Sequence, residues 1–229
     1  MNFFNSSKTF GGLVTGFLNF IMTLVGITFF AGLSNTLPMT LPLDFGGGIF
    51  SALIGVVLSF VIIFKLYQIM RNKYKIPIFA RITLKNTVIV VMIFCVLAIF
   101  TNVVGNFITV APSANQVRLN AMLGHVARTQ LWIDLFTIVV IAPIIEETFL
   151  RGLMFSYLAK FHLTIQMLIP TLIFTLLHMP TNLFDFLNYF FMGASFMIVR
   201  VWTGTLQYSI AMHMSWNFMA SLPLLATII

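Results

Sequence analysis

Charge is scarce in this chain. Of 229 residues, 12 are Lys or Arg and five are Asp or Glu, 7% in all, where a soluble domain gives roughly a quarter of its residues to charge. A water-facing surface cannot be built from so few, which excludes an ordinary soluble fold. Cysteine is nearly absent: the single Cys95 lies in an apolar run, so no intrachain disulfide can form, and it is expected as a small buried hydrophobe. Acid is scarcest of all. The acidic residues include just two Glu, and these are neighbours, Glu146 and Glu147, in an apolar stretch. There is no internal repeat, no low-complexity tail and no stretch that reads as a soluble domain. The net charge of +7 would suit nucleic acid if it gathered on one folded face. It lies instead in short connections between apolar runs, so no nucleic-acid partner is expected.

What is present is hydrophobic. Apolar residues make up 60% of the chain, Phe alone contributes 26, and the mean hydropathy is +1.05. Charges interrupt the apolar pattern so as to leave about seven candidate spans, at 11–33, 46–65, 86–108, 131–158, 163–179, 184–201 and 205–228. Most reach the ~20 residues that cross ~30 Å of hydrocarbon at ~1.5 Å per residue. The expected fold is all-α, a polytopic transmembrane helical bundle of about seven helices, between six and eight. The first span follows Lys8 but is too long for a cleaved signal, so it is read as retained. The connection between the second and third spans carries Lys65, Arg71, Lys73, Lys75, Arg81 and Lys85, which makes it cytoplasmic and places the N-terminus on the same side. Pro38 and Pro42 fall in the first outer loop, Gly204 in the turn before the last span, and Arg118 and Arg128 in an outer loop.

Ionisable side chains inside spans cost a few kcal/mol each on insertion scales and normally face a protein interior or a water-filled cavity. Three groups stand out: Glu146 and Glu147 with Arg151, Phe174 with His178, and His213 with Asn217. Each is at helical spacing, where residues three to five apart share a face. A plain structural account exists for every one of them taken singly, because Glu147 and Arg151 form an i, i+4 pair and a lone His on an apolar helix is commonly hydrogen-bonded packing. Arg151 neutralises just one carboxylate, however. Two carboxylates side by side cannot both ionise cheaply in a low dielectric, which suits one of them to general acid or base chemistry.

Helix arithmetic brings two of the groups together. With a turn near Lys160 to Leu163, Glu146 lies about 14 residues before it and His178 about 15 after it, so both stand ~21–23 Å from the turn on antiparallel helices. His213 lies ~13 Å past the turn at Gly204. A tilt, or a turn set at another depth, must absorb the difference.

Glu-Glu-x-x-x-Arg at 146–151, Phe-x-x-x-His at 174–178 and His-x-x-x-Asn at 213–217, in that order on successive apolar helices, resemble the CPBP family of intramembrane proteases. That family includes the type II CAAX prenyl endopeptidases and the bacterial Abi proteins, some associated with bacteriocin self-immunity. The similarity covers about 131 to 220 and extends to Thr203-Gly204-Thr205-Leu206, which is similar to a Thr-Gly-Ser-Leu turn frequent in the family. It implies a catalytic helical core over 131–229, preceded over 1–130 by N-terminal transmembrane helices and the basic cytoplasmic loop, in one integral membrane unit.

The roles follow residue by residue from the resemblance. Glu146 would activate water together with His178, and Glu147 and Arg151 would form a supporting ion pair. Phe174 would line the pocket, and His213 and Asn217 would donate hydrogen bonds to the developing oxyanion. Family members have also been described as metalloproteases, which makes Glu146, His178 and His213 candidate ligands for a divalent metal such as zinc. The acids and His form no compact His-Glu-x-x-His pair, and the glutamate mechanism without a required metal or other cofactor is preferred. The implied activity is an intramembrane endopeptidase, a hydrolase acting on a membrane-embedded or amphipathic peptide or membrane-protein substrate in the lipid bilayer of a bacterial plasma membrane. The alternatives are a non-enzymatic bacteriocin-immunity or membrane binding protein, in which the same groups are structural, and a small transporter using Glu and His as a proton relay.

The remaining polar residues are expected to be structural. Asp185 suits a helix N-terminus, and Asp134 packs or caps its helix. His125 and His162 lie in loops, and two of Trp132, Trp202 and Trp216 lie near membrane interfaces.

Overall fold

In hydrocarbon a backbone has no water to bond, so apolar runs of this length must satisfy their own N–H and C=O groups, and helices do so. The computed structural model describes residues 47–75, 78–107, 117 and 128–226, and among them there is no strand. Helix α1 (Gly47–Ile69) runs into a π-helical turn, Met70–Tyr74. Helix α2 spans Leu84–Phe107. From Arg128 to Tyr157 the chain is helical throughout, but in pieces: α3 (Arg128–Phe136), a π-helical segment Thr137–Ile141, α4 (Ala142–Glu147), a second π-helical segment Thr148–Met154, and α5 (Phe155–Tyr157). Then come α6 (Leu163–Leu177), α7 (Leu183–Thr203) and α8 (Leu206–Ala226).

These stretches cover all the expected spans except the first, 11–33, which lies outside the described residues together with Lys8, Pro38, Pro42, Arg118 and His125. Leu84–Val103 and Leu183–Thr203, 20 and 21 residues, are long and apolar enough to cross a membrane. The chain divides into two compact units, Met1–Ile62 and Ile63–Ile229; residues 47–62 of the first are helical, and the site lies wholly in the second.

Helix α7 is the hub of this second unit and packs against α6, α8 and α2. Its buried stripe, Asp185, Tyr189, Met192, Gly193, Phe196, Met197, Val199 and Arg200, repeats every three to four residues and so lines one side. The outer side carries Phe191, Ile198 and Trp202, all exposed. At its start Asn182 Oδ1 accepts from Asp185 N at 2.8 Å, and Asp185 in turn accepts from Thr181 Oγ1 at 2.8 Å. This is the N-terminal role expected of Asp185. At its end Gly204 adopts φ +72°, left-handed backbone that glycine enters without a Cβ penalty. His162 caps α6, accepting from Thr164 N at 3.3 Å. Trp132 and Trp202 are exposed near helix ends, whereas Trp216 is buried.

Cys95 departs from expectation. It lies on the outer face of α2 and is exposed, not packed in a protein core. Along Val88–Phe100, where every residue is apolar, the sequence has no contrast between the side that meets protein and the side that meets lipid.

Candidate active site

Three helical elements converge on the Glu pair: α4 with its flanking π-helical segments, the end of α6, and α8. Glu147 is fully buried and saturated on one oxygen. Its Oε1 accepts from Arg151 Nη1 at 3.0 Å and lies 3.0 Å from His213 Nδ1. Ser209 flanks the same carboxylate from α8. Arg151 is equally buried, donates through Nη2 to the Gly193 carbonyl at 2.9 Å, and lies with its guanidinium 4.6 Å from the Phe174 ring centroid. Desolvating this pair is tolerable only because each charge has both an opposite charge and further polar or aromatic partners.

Glu146, its neighbour in sequence, is placed differently. Its side chain is 33% exposed, and Oε2 stands 4.0 Å from His213 Nε2. One residue step along the helix thus separates a sealed carboxylate from one that is a third exposed.

His178 is the residue at which α6 stops. The last turn of a helix leaves carbonyls without backbone partners, and here the side chain takes one of them, with His178 Nδ1 2.7 Å from the Phe174 oxygen. A carbonyl can only accept, so Nδ1 carries the proton and Nε2 keeps its lone pair. The imidazole is clamped between rings, stacked on Tyr189 at 4.5 Å and tilted against Phe174 at 4.4 Å. Phe174 also meets the His213 ring at 5.7 Å, so it stands between the two imidazoles. Glu146 is close enough to His178 to interact with it electrostatically.

His213 is buried, stacks on Phe196 at 4.5 Å and spans the pair, with Nδ1 towards Glu147 and Nε2 towards Glu146. Its depth is explained by where α8 starts. A Cβ on Gly152 would lie 3.2 Å from Leu206, so α8 begins level with Gly152 and well inside the helix end at Tyr157. The turn is set deeper than the one near Lys160.

Asn217 lies one turn beyond His213, and its Nδ2 donates to the Ile138 carbonyl at 2.9 Å. The reason is local. In the first π-helical segment Ala142 N bonds to Thr137 O, so the next bond in that register would run from residue 143 to Ile138. Residue 143 is Pro, which has no N–H. Asn217 supplies the missing donor and retains a second amide hydrogen.

The structure thus brings Glu146, Glu147, Arg151, Phe174, His178 and His213 into one cluster, with Asn217 at its edge on Ile138. Among the described residues no three His, Cys, Asp or Glu side chains converge as a metal-holding group. The candidate ligands Glu146, His178 and His213 share this neighbourhood, with His213 Nε2 4.0 Å from Glu146 Oε2. Sequence reasoning missed the contribution of α7: Tyr189 against His178, Gly193 under Arg151, and Phe196 against His213. Gly193 is required there, since a Cβ would stand 2.8 Å from Phe174 Cδ1 and 3.4 Å from Arg151 Nη2. The spacing of 189, 193, 196 and 200 on one helical face was the available signal.

No curated protein and no solved structure matches the chain. Residues 128–219 match the family model described as "Type II CAAX prenyl endopeptidase Rce1-like". That stretch runs from the start of α3 to beyond Asn217 and contains every residue of the cluster. Over residues 128–219, therefore, the chain is similar to the CAAX protease (CPBP) family.

Proposed function

We propose that the chain is an intramembrane endopeptidase in which Glu146 and His178 activate a water molecule against a peptide bond of a membrane-embedded or amphipathic substrate. The observation that carries this reading is the contrast within the Glu pair. Glu147 is enclosed and held by Arg151 and His213, whereas Glu146 is a third exposed and faces His213 across 4.0 Å. A base must reach its water, and Glu146 is the carboxylate with access.

The steps follow from the proton positions. Water donates one hydrogen to Glu146 and is oriented by the lone pair on His178 Nε2. Its oxygen attacks the scissile carbonyl carbon, and the carbonyl becomes an oxyanion. Glu146 then passes the proton to the departing amine as the C–N bond breaks, leaving a free carboxyl and a free amino terminus.

His213 donates to the oxyanion through Nε2–H in its protonated form, which Glu147 supports from the Nδ1 side. The second amide hydrogen of Asn217 adds a further donor. The mechanism needs no metal. Stoichiometric zinc in purified protein, with cleavage abolished by chelation, would replace the glutamate mechanism.

In this reading residues 131–229 are the catalytic core of one polytopic membrane unit of about seven helices. Residues 1–130 supply N-terminal helices and the basic loop, and the N-terminus lies in the cytoplasm of a bacterial cell. The test is the membrane peptidome of cells carrying the wild type, Glu146→Gln, His178→Ala or His213→Ala at matched protein levels. Fragments that depend on the wild type and vanish in all three variants are expected. An unchanged peptidome would sink the catalytic reading and leave immunity by binding, or transport, to account for the cluster.

A further inference from the structure

The end of the second unit around the start of α8 carries cations and apolar side chains that the catalytic cluster does not use. Residues 78–83 form a non-helical strap tied to α8. Gln207 N donates to Ile78 O at 3.1 Å, Ala80 N to Gln207 Oε1 at 2.9 Å, Gln207 Nε2 to Ala80 O at 2.9 Å, and Thr83 N to Tyr208 Oη at 3.0 Å. Ile78 packs with Met70 and Leu206. The strap is therefore held in place, yet Phe79, Ile82 and Leu84 are 76%, 74% and 81% exposed. Arg81 and Lys85 alternate with them and are exposed, as is Arg71 in the adjoining π-helical turn.

The position of the strap relative to a bilayer follows from continuity. The candidate span of α2 begins at Leu84 and that of α7 ends at Thr203, so the strap and the turn at Gly204 lie at one interface. No described acid is near to neutralise this end. Asp134 is more than ten helical residues before the turn that meets Met70, Asp185 is at the opposite end of α7, and Glu146 and Glu147 belong to the internal cluster. Arg200, at the same end, is buried against the Arg151 carbonyl and the Phe155 ring, without a carboxylate. Cations interleaved with exposed aromatic and aliphatic side chains, at the level where a span enters hydrocarbon, match a surface with phosphate above and acyl chains below. A nucleic acid or an acidic soluble protein would leave the apolar members unpaired.

We propose that Arg71, Arg81 and Lys85, with Phe79, Ile82 and Leu84, form a docking surface for the headgroups of anionic phospholipids. The proposal rests on the membrane reading of the chain and is independent of catalysis.

The test uses the full chain purified in a neutral detergent and given equal amounts of phosphatidylglycerol and phosphatidylcholine. Lipid retained by the folded protein is counted by native mass spectrometry. The wild type is expected to retain phosphatidylglycerol preferentially, and Arg71→Gln/Arg81→Gln/Lys85→Gln to lose that preference, about fivefold for each cation removed at ~1 kcal/mol per basic side chain near a surface. Where the triple variant does not stay folded, Lys85→Gln alone, on the first turn of α2, is expected to lower the preference about fivefold. Thermal unfolding adds a second arm, in which phosphatidylglycerol raises the unfolding temperature and inorganic phosphate at the same concentration does not. Equal retention of the two lipids by the wild type, an unchanged preference in the folded variant, or an equal shift with inorganic phosphate overturns the proposal.

Discussion

At the scale of single residues, the site turns on giving opposite surroundings to two identical side chains. Glu147 answers to Arg151 and His213 at 3.0 Å each in a fully buried setting, and Glu146 is a third exposed. Their substitutions should separate accordingly. Arg151→Met leaves the Glu147 carboxylate buried without its cation and is expected to destabilise the folded chain by about 3–5 kcal/mol. Glu146→Gln, isosteric and partly exposed, should leave unfolding within about 1 kcal/mol of the wild type while abolishing cleavage. Denaturant unfolding of both purified variants checks the pair, and a reversed order would mean that the two acids had been assigned to the wrong jobs. Gly193→Ala belongs to the same scale. Its Cβ would meet Phe174 and Arg151, an overpacking expected to cost about 1–3 kcal/mol in the same measurement.

The polar members of the site were legible in the sequence because Glu, His and Arg contrast with an apolar background. Tyr189, Gly193 and Phe196 were not, because an aromatic or a glycine among aromatics and aliphatics has no such contrast, and only its helical period betrays it.

At the scale of elements, the helices themselves were readable from the lengths of the apolar runs, and the observed ends fall within a few residues of the expected ones. The irregularities inside them were not. Two π-helical segments flank α4, and each changes the register in which side chains meet their neighbours. They also wind more residues into each turn, which shortens the stretch and alters the depth arithmetic that fitted His213 poorly. Pro143 was visible, but its effect on Ile138 depends on the π register, which no periodicity revealed. The link between Pro143 and Asn217 is directly testable. Asn217→Ala removes the donor that Pro143 cannot supply, at an expected cost of about 1–3 kcal/mol. In a Pro143→Ala background, where the backbone N–H returns, the same substitution should cost about 1 kcal/mol less. A double-mutant cycle read by unfolding measures the difference, and strict additivity would break the connection between the two residues. Gly204→Ala, at φ +72° with open space around its Cβ position, isolates the backbone contribution and should cost about 1–2 kcal/mol.

At the scale of the whole molecule, composition announced a membrane protein, and α2 is the element whose surface states the same thing most directly. It packs on α7 and α8 through Phe94 against Trp216, Phe100 against Phe191 and Thr101 towards Asn188. Val91, Met92, Val96 and Ile99 face outward and are 54–67% exposed. An apolar face of that extent marks a surface that lipid or another protein covers, and on a chain of this composition lipid is the expected cover. Cys95 stands on this face, about 16 Å along the helix from Leu84 and so near the middle of a ~30 Å hydrocarbon layer. As the chain's one cysteine, it reports on α2 without any engineered probe. The nucleophile towards a maleimide is the thiolate, and a thiolate does not form in hydrocarbon. Cys95 should therefore resist a membrane-impermeant maleimide in sealed vesicles of either orientation, and react fully once the protein is unfolded in dodecyl sulfate. Mass spectrometry of the intact chain counts the adduct. Stoichiometric labelling in native membranes would put the outer face of α2 in water, and the exposed apolar surface would then need a protein partner in place of a bilayer.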